Sequence, residues 1–260
     1  MIVLRSALYH IGFYVIMAAI FAVTLPFFFF LPHGAAMRVV RFWSASSVWW
    51  LRVAAGLRLE LRGLDKLPPG GAILAAKHQA AIETFALVPL FADPTYVMKR
   101  ELMRIPLFGW YTWKAGMIPV DRAGGAKALR ALAARVRAAV EAGRQVIIFP
   151  EGTRRPPGAP PDYKPGVMLL YRETGLPVFP VALNTGLYWP RTSLRRYPGT
   201  MVIEILDPIP PGLDAKRFGR ELQARIEPAS DRLIAEAAAS ARPPPIPPEA
   251  AARLAALSPA

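Results

Sequence analysis

From Ile11 to Leu31 the chain reads IGFYVIMAAIFAVTLPFFFFL, with no charged residue in it. Wound as a helix at 1.5 Å per residue, the run is about 31 Å long, enough to cross the hydrocarbon core of a bilayer. A cleaved secretory leader is the competing reading, but its apolar core would be about 7–15 residues and would end in small residues. This run is longer and closes on Pro-Phe-Phe-Phe-Phe-Leu-Pro, so a retained membrane segment is expected. After the break at Leu31-Pro32-His33-Gly34 comes an amphipathic stretch from Ala35 to Gly56. It sets Arg38, Arg41 and Arg52 on one helical face, with Val39, Phe42, Trp43, Trp49 and Trp50 as apolar and interfacial bulk. Two arrangements satisfy this pattern: a helical hairpin dipping into one leaflet, or a single span followed by an interfacial helix. Residues 1–57 are expected to form this membrane-associated unit.

Charge points to the same surface. No acidic residue precedes Glu60, and the whole chain carries a formal charge of +14. Each Lys or Arg near an anionic lipid surface contributes about 1 kcal/mol, so an anionic membrane is the expected partner. Nucleic acid is not, because no recognition motif and no basic run interleaved with aromatics is present. The absence of cysteine excludes disulfides, thiolate metal sites and a cysteine nucleophile.

Beyond residue 57 short apolar runs alternate with amphipathic segments. Strands are predicted at Leu57–Leu61, Ala72–Ala76, Thr95–Met98, Met117–Val120, Gln145–Phe149, Val178–Leu183 and Met201–Leu206. A helix is predicted from Gly125 to Ala142, with Leu129, Leu132, Val136 and Val140 on its apolar side. Another follows Asp214, with Phe218, Leu222 and Ile226 in register until Pro228 interrupts it. The alternation predicts an α/β domain over 58–240, a mixed central sheet flanked by helices. The proline-rich stretch 241–260 is expected to be an extended or disordered tail.

Of three histidines, only His78 lies in this domain, directly after the apolar run Ala72–Ala76 and five residues before Glu83. Strand-to-helix junctions are where α/β folds present functional groups. Across such a turn Glu83 could hold the Nδ1 proton of the imidazole and leave Nε2 as a base. Taken alone, a histidine near a carboxylate is more often incidental. Residues 146–155, however, read VIIFPEGTRR: a buried run, a proline stop, then a glycine turn bearing an acid, a hydroxyl and two guanidiniums suited to phosphate.

His78 with Glu83, together with FPEGTR at 149–154, resembles the glycerolipid acyltransferase family that includes the 1-acylglycerol-3-phosphate acyltransferases. Two further blocks agree: VMKREL at 97–102 with PLFGW at 106–110 and Gly116 through Arg122, and LPVFPVA at 176–182. The resemblance spans about residues 77–183, its blocks in the family's order.

That resemblance implies a role for each matched position. His78 would be the general base and Glu83 its orienting partner. Glu151, Gly152, Thr153 and Arg154 would bind the acceptor's glycerol phosphate, with Lys99 adding charge; Arg100 and Arg122 are weaker candidates. The implied substrates are a lysophospholipid acceptor, such as lysophosphatidic acid, and an acyl thioester donor, either acyl-coenzyme A or acyl carrier protein. No cofactor and no metal is implied. A cytoplasmic (inner) membrane location follows, with the catalytic domain facing the cytoplasm. Three departures stand out: the family usually has Asp where this chain has Glu83, often Asn at Lys77, and often Ser at Arg155. Other readings are the same chemistry on glycerol 3-phosphate or another lysolipid, a lipid hydrolase, and a non-catalytic lipid-binding protein.

Overall fold

The computed structural model describes residues 1–121 and 124–257. Its centre is a seven-stranded sheet of β1 (Leu57–Arg62), β2 (Ala72–Ala76), β3 (Pro94–Lys99), β4 (Ile118–Val120), β5 (Gln145–Ile148), β6 (Val178–Leu183) and β7 (Gly199–Ile205), in the order β1-β7-β6-β2-β5-β3-β4. Strands β6, β2, β5, β3 and β4 run parallel. The chain then turns antiparallel at β7, which β1 joins in parallel. The expected mixed sheet is thus observed, and every predicted strand is present.

Alternation along β2 divides the core. Ile73 and Ala75 face α5 (Gly125–Glu141), α6 (Pro165–Thr174) and α8 (Ala215–Ala238), where Val136, Leu170, Tyr171, Phe218 and Leu222 are buried. Ala72, Leu74 and Ala76 face the opposite layer with Leu87, Val88 and Phe91. That layer begins at the short helix α3 (Glu83–Ala86) and is backed by the N-terminal helices. Between sheet strands lie two further helices, α4 (Phe108–Lys114) and α7 (Thr185–Tyr188).

Two expectations are corrected. The helix after Asp214 runs through Pro228 to Ala238. Interior proline costs about 3 kcal/mol. Here the apolar face is buried on both sides of it, through Phe218, Leu222 and Ile226 before and Leu233, Ile234 and Ala237 after. The proline-rich end is not simply extended, since α9 (Pro248–Leu257) folds back onto the body. Ala250 is buried against Gly158, and Arg253 Nε donates to Asp231 Oδ2 at 2.8 Å.

The N-terminal run forms α1 (Ile2–Phe28), alone among the described residues in being long and apolar enough to cross a membrane. It pairs with α2 (His33–Trp50), so the two helices form a hairpin. Both ends of α1 touch the domain that follows the N-terminal unit. Near its start the Ser6 hydroxyl accepts from Arg196 N and Tyr9 packs edge-on against Trp189, while Arg5 Nε donates to Ala54 O within the N-terminal unit itself. Near its end the Thr24 and Tyr111 hydroxyls share a hydrogen bond, Phe28 stacks on Tyr111 at 4.0 Å, and Lys114 Nζ donates to Phe29 O.

Candidate active site

The parallel strands deliver their C-terminal ends to one edge of the sheet, the edge at which α/β folds bind ligands. β2 ends at Lys77-His78, β5 at Phe149-Pro150-Glu151, and β6 at Asn184-Thr185. His78 therefore leaves the sheet between the two strands that flank β2.

Its imidazole Nδ1 lies 2.6 Å from Glu83 Oε2. The Glu83 side chain is fully buried, and its other partners all donate. Ala80 N reaches Oε1 at 2.7 Å, Gln79 N lies 3.3 Å from both oxygens, and the Thr185 hydroxyl bonds Oε1. An ionised carboxylate can only accept. The proton therefore sits on Nδ1, and the Nε2 lone pair is left free. One face of the imidazole stacks on Phe149, with centroids 4.0 Å apart and planes 15° off parallel, and Phe149 stacks in turn on Tyr96. The Tyr96 hydroxyl donates to the Glu83 carbonyl at 2.9 Å, and burial holds its pKa well above the usual phenol range, so it remains a donor. The ring is thus fixed by a hydrogen bond at one atom and a stack across one face.

The FPEGTR segment wraps the same histidine from the β5 side. Arg155 N donates to His78 O at 2.8 Å, and His78 N donates to Glu151 Oε2 at 3.1 Å. The turn closes through Gly152 N to Phe149 O at a φ of +64°, a left-handed conformation that glycine adopts without penalty. Thr153 is exposed and Arg154 half-buried. Among the described residues the Arg154 guanidinium has no hydrogen-bond or ion-pair partner.

Glu151 does not stand where the sequence reading put it. Its side chain is wholly enclosed beneath the loop, bonded to the His78 backbone and 3.3 Å from Lys77 Nζ. A buried carboxylate facing inward would not contact a phosphate, and its negative charge would repel one. It shapes the loop instead. Burial raises its pKa above the ordinary value, against the opposing pull of Lys77. Lys77 is itself buried and bonded to Glu227 of α8 at 2.7 and 2.9 Å, and Tyr163 donates to the same Glu227 at 2.7 Å.

Lys99 ends β3, two strands from β2 and therefore about 10 Å to the side. It is half-exposed and lies 3.7 Å from Glu101. Arg100 pairs with Asp121 at 3.0 Å, while Arg122 falls outside the described residues. The structure thus gathers His78, Glu83, Gly152, Thr153 and Arg154 and leaves Lys99 at the margin. Sequence reading missed Thr185, Gln79 (whose side-chain oxygen accepts from Gly186 N at 3.0 Å) and the Lys77–Glu227 pair. Lys77 had shown only as a departure from the family pattern. Among the described residues no group of three or more His, Asp or Glu side chains is placed to hold a metal ion.

A family model described as Acyltransferase matches residues 58–184. A Pseudomonas aeruginosa protein named 1-acyl-sn-glycerol-3-phosphate acyltransferase is 37% identical over 223 residues, covering 85% of each chain. One of the same name from Salmonella typhimurium is 32% identical over 185 residues, 70% of this chain and 74% of the other. Among solved structures, the 1-acyl-sn-glycerophosphate (LPA) acyltransferase PlsC of Thermotoga maritima superposes with a TM-score of 0.74. It covers 90% of this chain and 98% of its own at 23% identity, which speaks to the fold.

Proposed function

The chain belongs to the acyltransferase family, and from that membership we propose that it moves a fatty acyl group from a thioester to the sn-2 hydroxyl of lysophosphatidate, yielding phosphatidate. The relatives' shared name supplies the acceptor. The observation that carries the chemistry is the 2.6 Å contact between His78 Nδ1 and Glu83, which leaves Nε2 as the base, on a turn bonded to the loop that carries Arg154.

In the proposed reaction His78 Nε2 takes the proton of the acceptor hydroxyl as its oxygen attacks the thioester carbonyl. A carbon–oxygen bond forms, the tetrahedral intermediate collapses, and the carbon–sulfur bond breaks. The imidazolium returns its proton to the leaving thiolate. Glu83 stabilises that imidazolium, and such base catalysis contributes about 10²–10⁴-fold. Gly152, Thr153 and Arg154 hold the phosphate, so that the hydroxyl meets Nε2 in reacting geometry. Lys99 acts at longer range, through charge. No protein nucleophile and no cofactor enters this scheme. The donor is acyl-coenzyme A or acyl carrier protein.

We further infer that the protein sits on the cytoplasmic face of the inner membrane, where such thioesters are made. The exposed apolar side of α1 and α2 would lie in the lipid, through Ile11, Val15, Phe27, Phe42 and Trp49, joined by Trp110 and Trp113 of α4. The test is acyl transfer by detergent-purified protein to lysophosphatidate with both donors, beside His78→Ala. Phosphatidate from the wild type and a loss of at least 100-fold in the variant are expected. No product with either donor would overturn the acceptor assignment, and activity surviving in the variant would overturn the base.

A further inference from the structure

Arg191 lies outside every motif read from the sequence, yet its Nη1 donates to the carbonyl oxygen of Arg154 at 2.9 Å. It is placed there by a rigid chain of contacts. Thr185, at the start of α7, bonds the Glu83 carboxylate, and Gly186 N bonds the side chain of Gln79. Gly186 is packed so tightly that a Cβ there would stand 2.8 Å from Gln79 and 2.9 Å from Pro157. Trp189, next along, is buried, its indole covered by the Arg196 guanidinium at 4.0 Å and met edge-on by Tyr9. Two residues later the chain exposes Arg191 beside the phosphate loop. The segment that orients the catalytic dyad therefore also carries this arginine.

Some of this protein's arginines are neutralised by carboxylates. Arg155 meets Asp162, Arg144 meets Asp93, and Arg232 meets both Glu204 and Glu236. Among the described residues neither Arg154 nor Arg191 has a carboxylate within ion-pair distance. One N–H of Arg191 is used on the Arg154 carbonyl, and among the described residues the rest of its planar fork has no hydrogen-bond partner. The Arg191 guanidinium is held on the backbone of the residue whose own side chain is the other unneutralised guanidinium, so both positive charges belong to one turn of the loop and an anion bound there would offset both. A phosphomonoester carries a charge of about −1.5 to −2 at neutral pH and three acceptor oxygens, enough to engage both forks. A phosphodiester carries one charge and has a substituent in the way.

We propose that Arg191 is a second phosphate-binding residue, closing with Arg154 a two-arginine clamp that selects a terminal phosphomonoester acceptor over a phosphodiester lysolipid. This rests on the acceptor chemistry proposed above and extends it to a residue outside the FPEGTR segment.

Two measurements on Arg191→Gln and Arg191→Lys test it. The first is equilibrium binding of a short-chain lysophosphatidate to the detergent-purified protein with no thioester present. The second is steady-state transfer to lysophosphatidate and to lysophosphatidylglycerol, with folding checked by thermal unfolding. The expected result for Arg191→Gln is roughly 10- to 100-fold weaker lysophosphatidate binding and a matching rise in its KM. Its kcat and the KM of the thioester stay within about threefold, and the preference for monoester over diester falls. Arg191→Lys recovers part of the affinity, because it keeps the charge and loses the fork. Binding within twofold of wild type overturns the proposal. So does a rise confined to the thioester KM, which would assign Arg191 to the donor's phosphates, or a fall in kcat alone, which would make it a prop for the Arg154 backbone. Wild-type protein that binds lysophosphatidate without acylating it would overturn the function proposed above, while the binding arm still decides Arg191.

Discussion

The Lys77 ammonium and the Glu227 carboxylate meet at 2.7 Å directly beneath the loop that carries His78. Lys77 is adjacent in sequence to His78, and Glu227 sits mid-way along α8, so the pair ties α8 to the His78 turn. Both side chains are largely withdrawn from water, Lys77 at 2% and Glu227 at 11% exposed. Removing one partner strands the other. Lys77→Met is expected to cost about 3–5 kcal/mol, because Glu227 and Glu151 lose their shared cation. Glu227→Gln alone should cost less, since Lys77 keeps Glu151. A double-mutant cycle read by chemical denaturation should show the two substitutions strongly non-additive. Additive losses would mean that the pair is not coupled.

Thr185 donates to the carboxylate oxygen of Glu83 that faces away from His78, and so completes its set of donors. Thr185→Val keeps the shape and removes that hydrogen bond. Net worth for a hydrogen bond to a charged group is about 1.5–3 kcal/mol. Part of this should appear in kcat, as a fall of roughly tenfold with acceptor KM unchanged, because the carboxylate is less firmly aimed. Thr185→Ser should restore most of the rate. A fall in KM-linked binding with kcat intact would show that Thr185 acts elsewhere.

How much of this site was legible in the sequence follows from what each residue must do. His78, Glu83 and Gly152 have local signatures: a base five residues from an acid after an apolar run, and a glycine at a turn that needs a positive φ. The β2 and β6 boundaries were readable for a similar reason, since a strand buried on both faces is a continuous apolar run. Thr185, Arg191 and Glu227 carry no such mark. Each reaches the site only because β6 lies beside β2 and α8 crosses behind them, pairings between segments far apart in sequence. Glu151 misled for the same reason. Its motif places it next to the residues proposed to hold phosphate, but only the fold reveals that its side chain points at Lys77. Leu107 is a further case: it adopts a φ of +63°, closing a tight turn from Phe108 N to Pro106 O at 2.7 Å, and nothing in a leucine announces that.

Glu151 makes a pH prediction with a definite sign. Its pKa in the folded protein is raised above 4.5, first by burial and against the pull of Lys77. Above pH 4.5 the unfolded chain gives up this proton before the folded one does, so the folded state binds more protons in the window between the two values. Stability from this group is therefore full below pH 4.5 and is lost as pH rises through the folded value. Glu151→Gln should flatten the pH dependence of thermal unfolding in that window, while the rest of the profile keeps its shape. A variant profile with the wild-type slope would assign the titration to another group.

The two ends of α1 make a prediction about topology. A helix of 27 residues extends about 40 Å, more than enough to cross a bilayer, and its composition alone would permit it. Yet Ser6 and Tyr9 contact the body near one end, and Thr24 and Phe29 bond it near the other. A crossing helix would carry one of those ends to the far side and break its contacts. The helix is instead expected to lie along the body with its exposed face in a single leaflet, as interfacial helices do. The chain has no cysteine, so one introduced cysteine is a unique label. A cysteine placed directly after Met1 and, separately, Ala241→Cys on the catalytic body should both react with a membrane-impermeant maleimide from the same side of sealed vesicles. Labelling of the two from opposite sides would establish a span, and would require the contacts at one end of α1 to open when the protein enters the membrane.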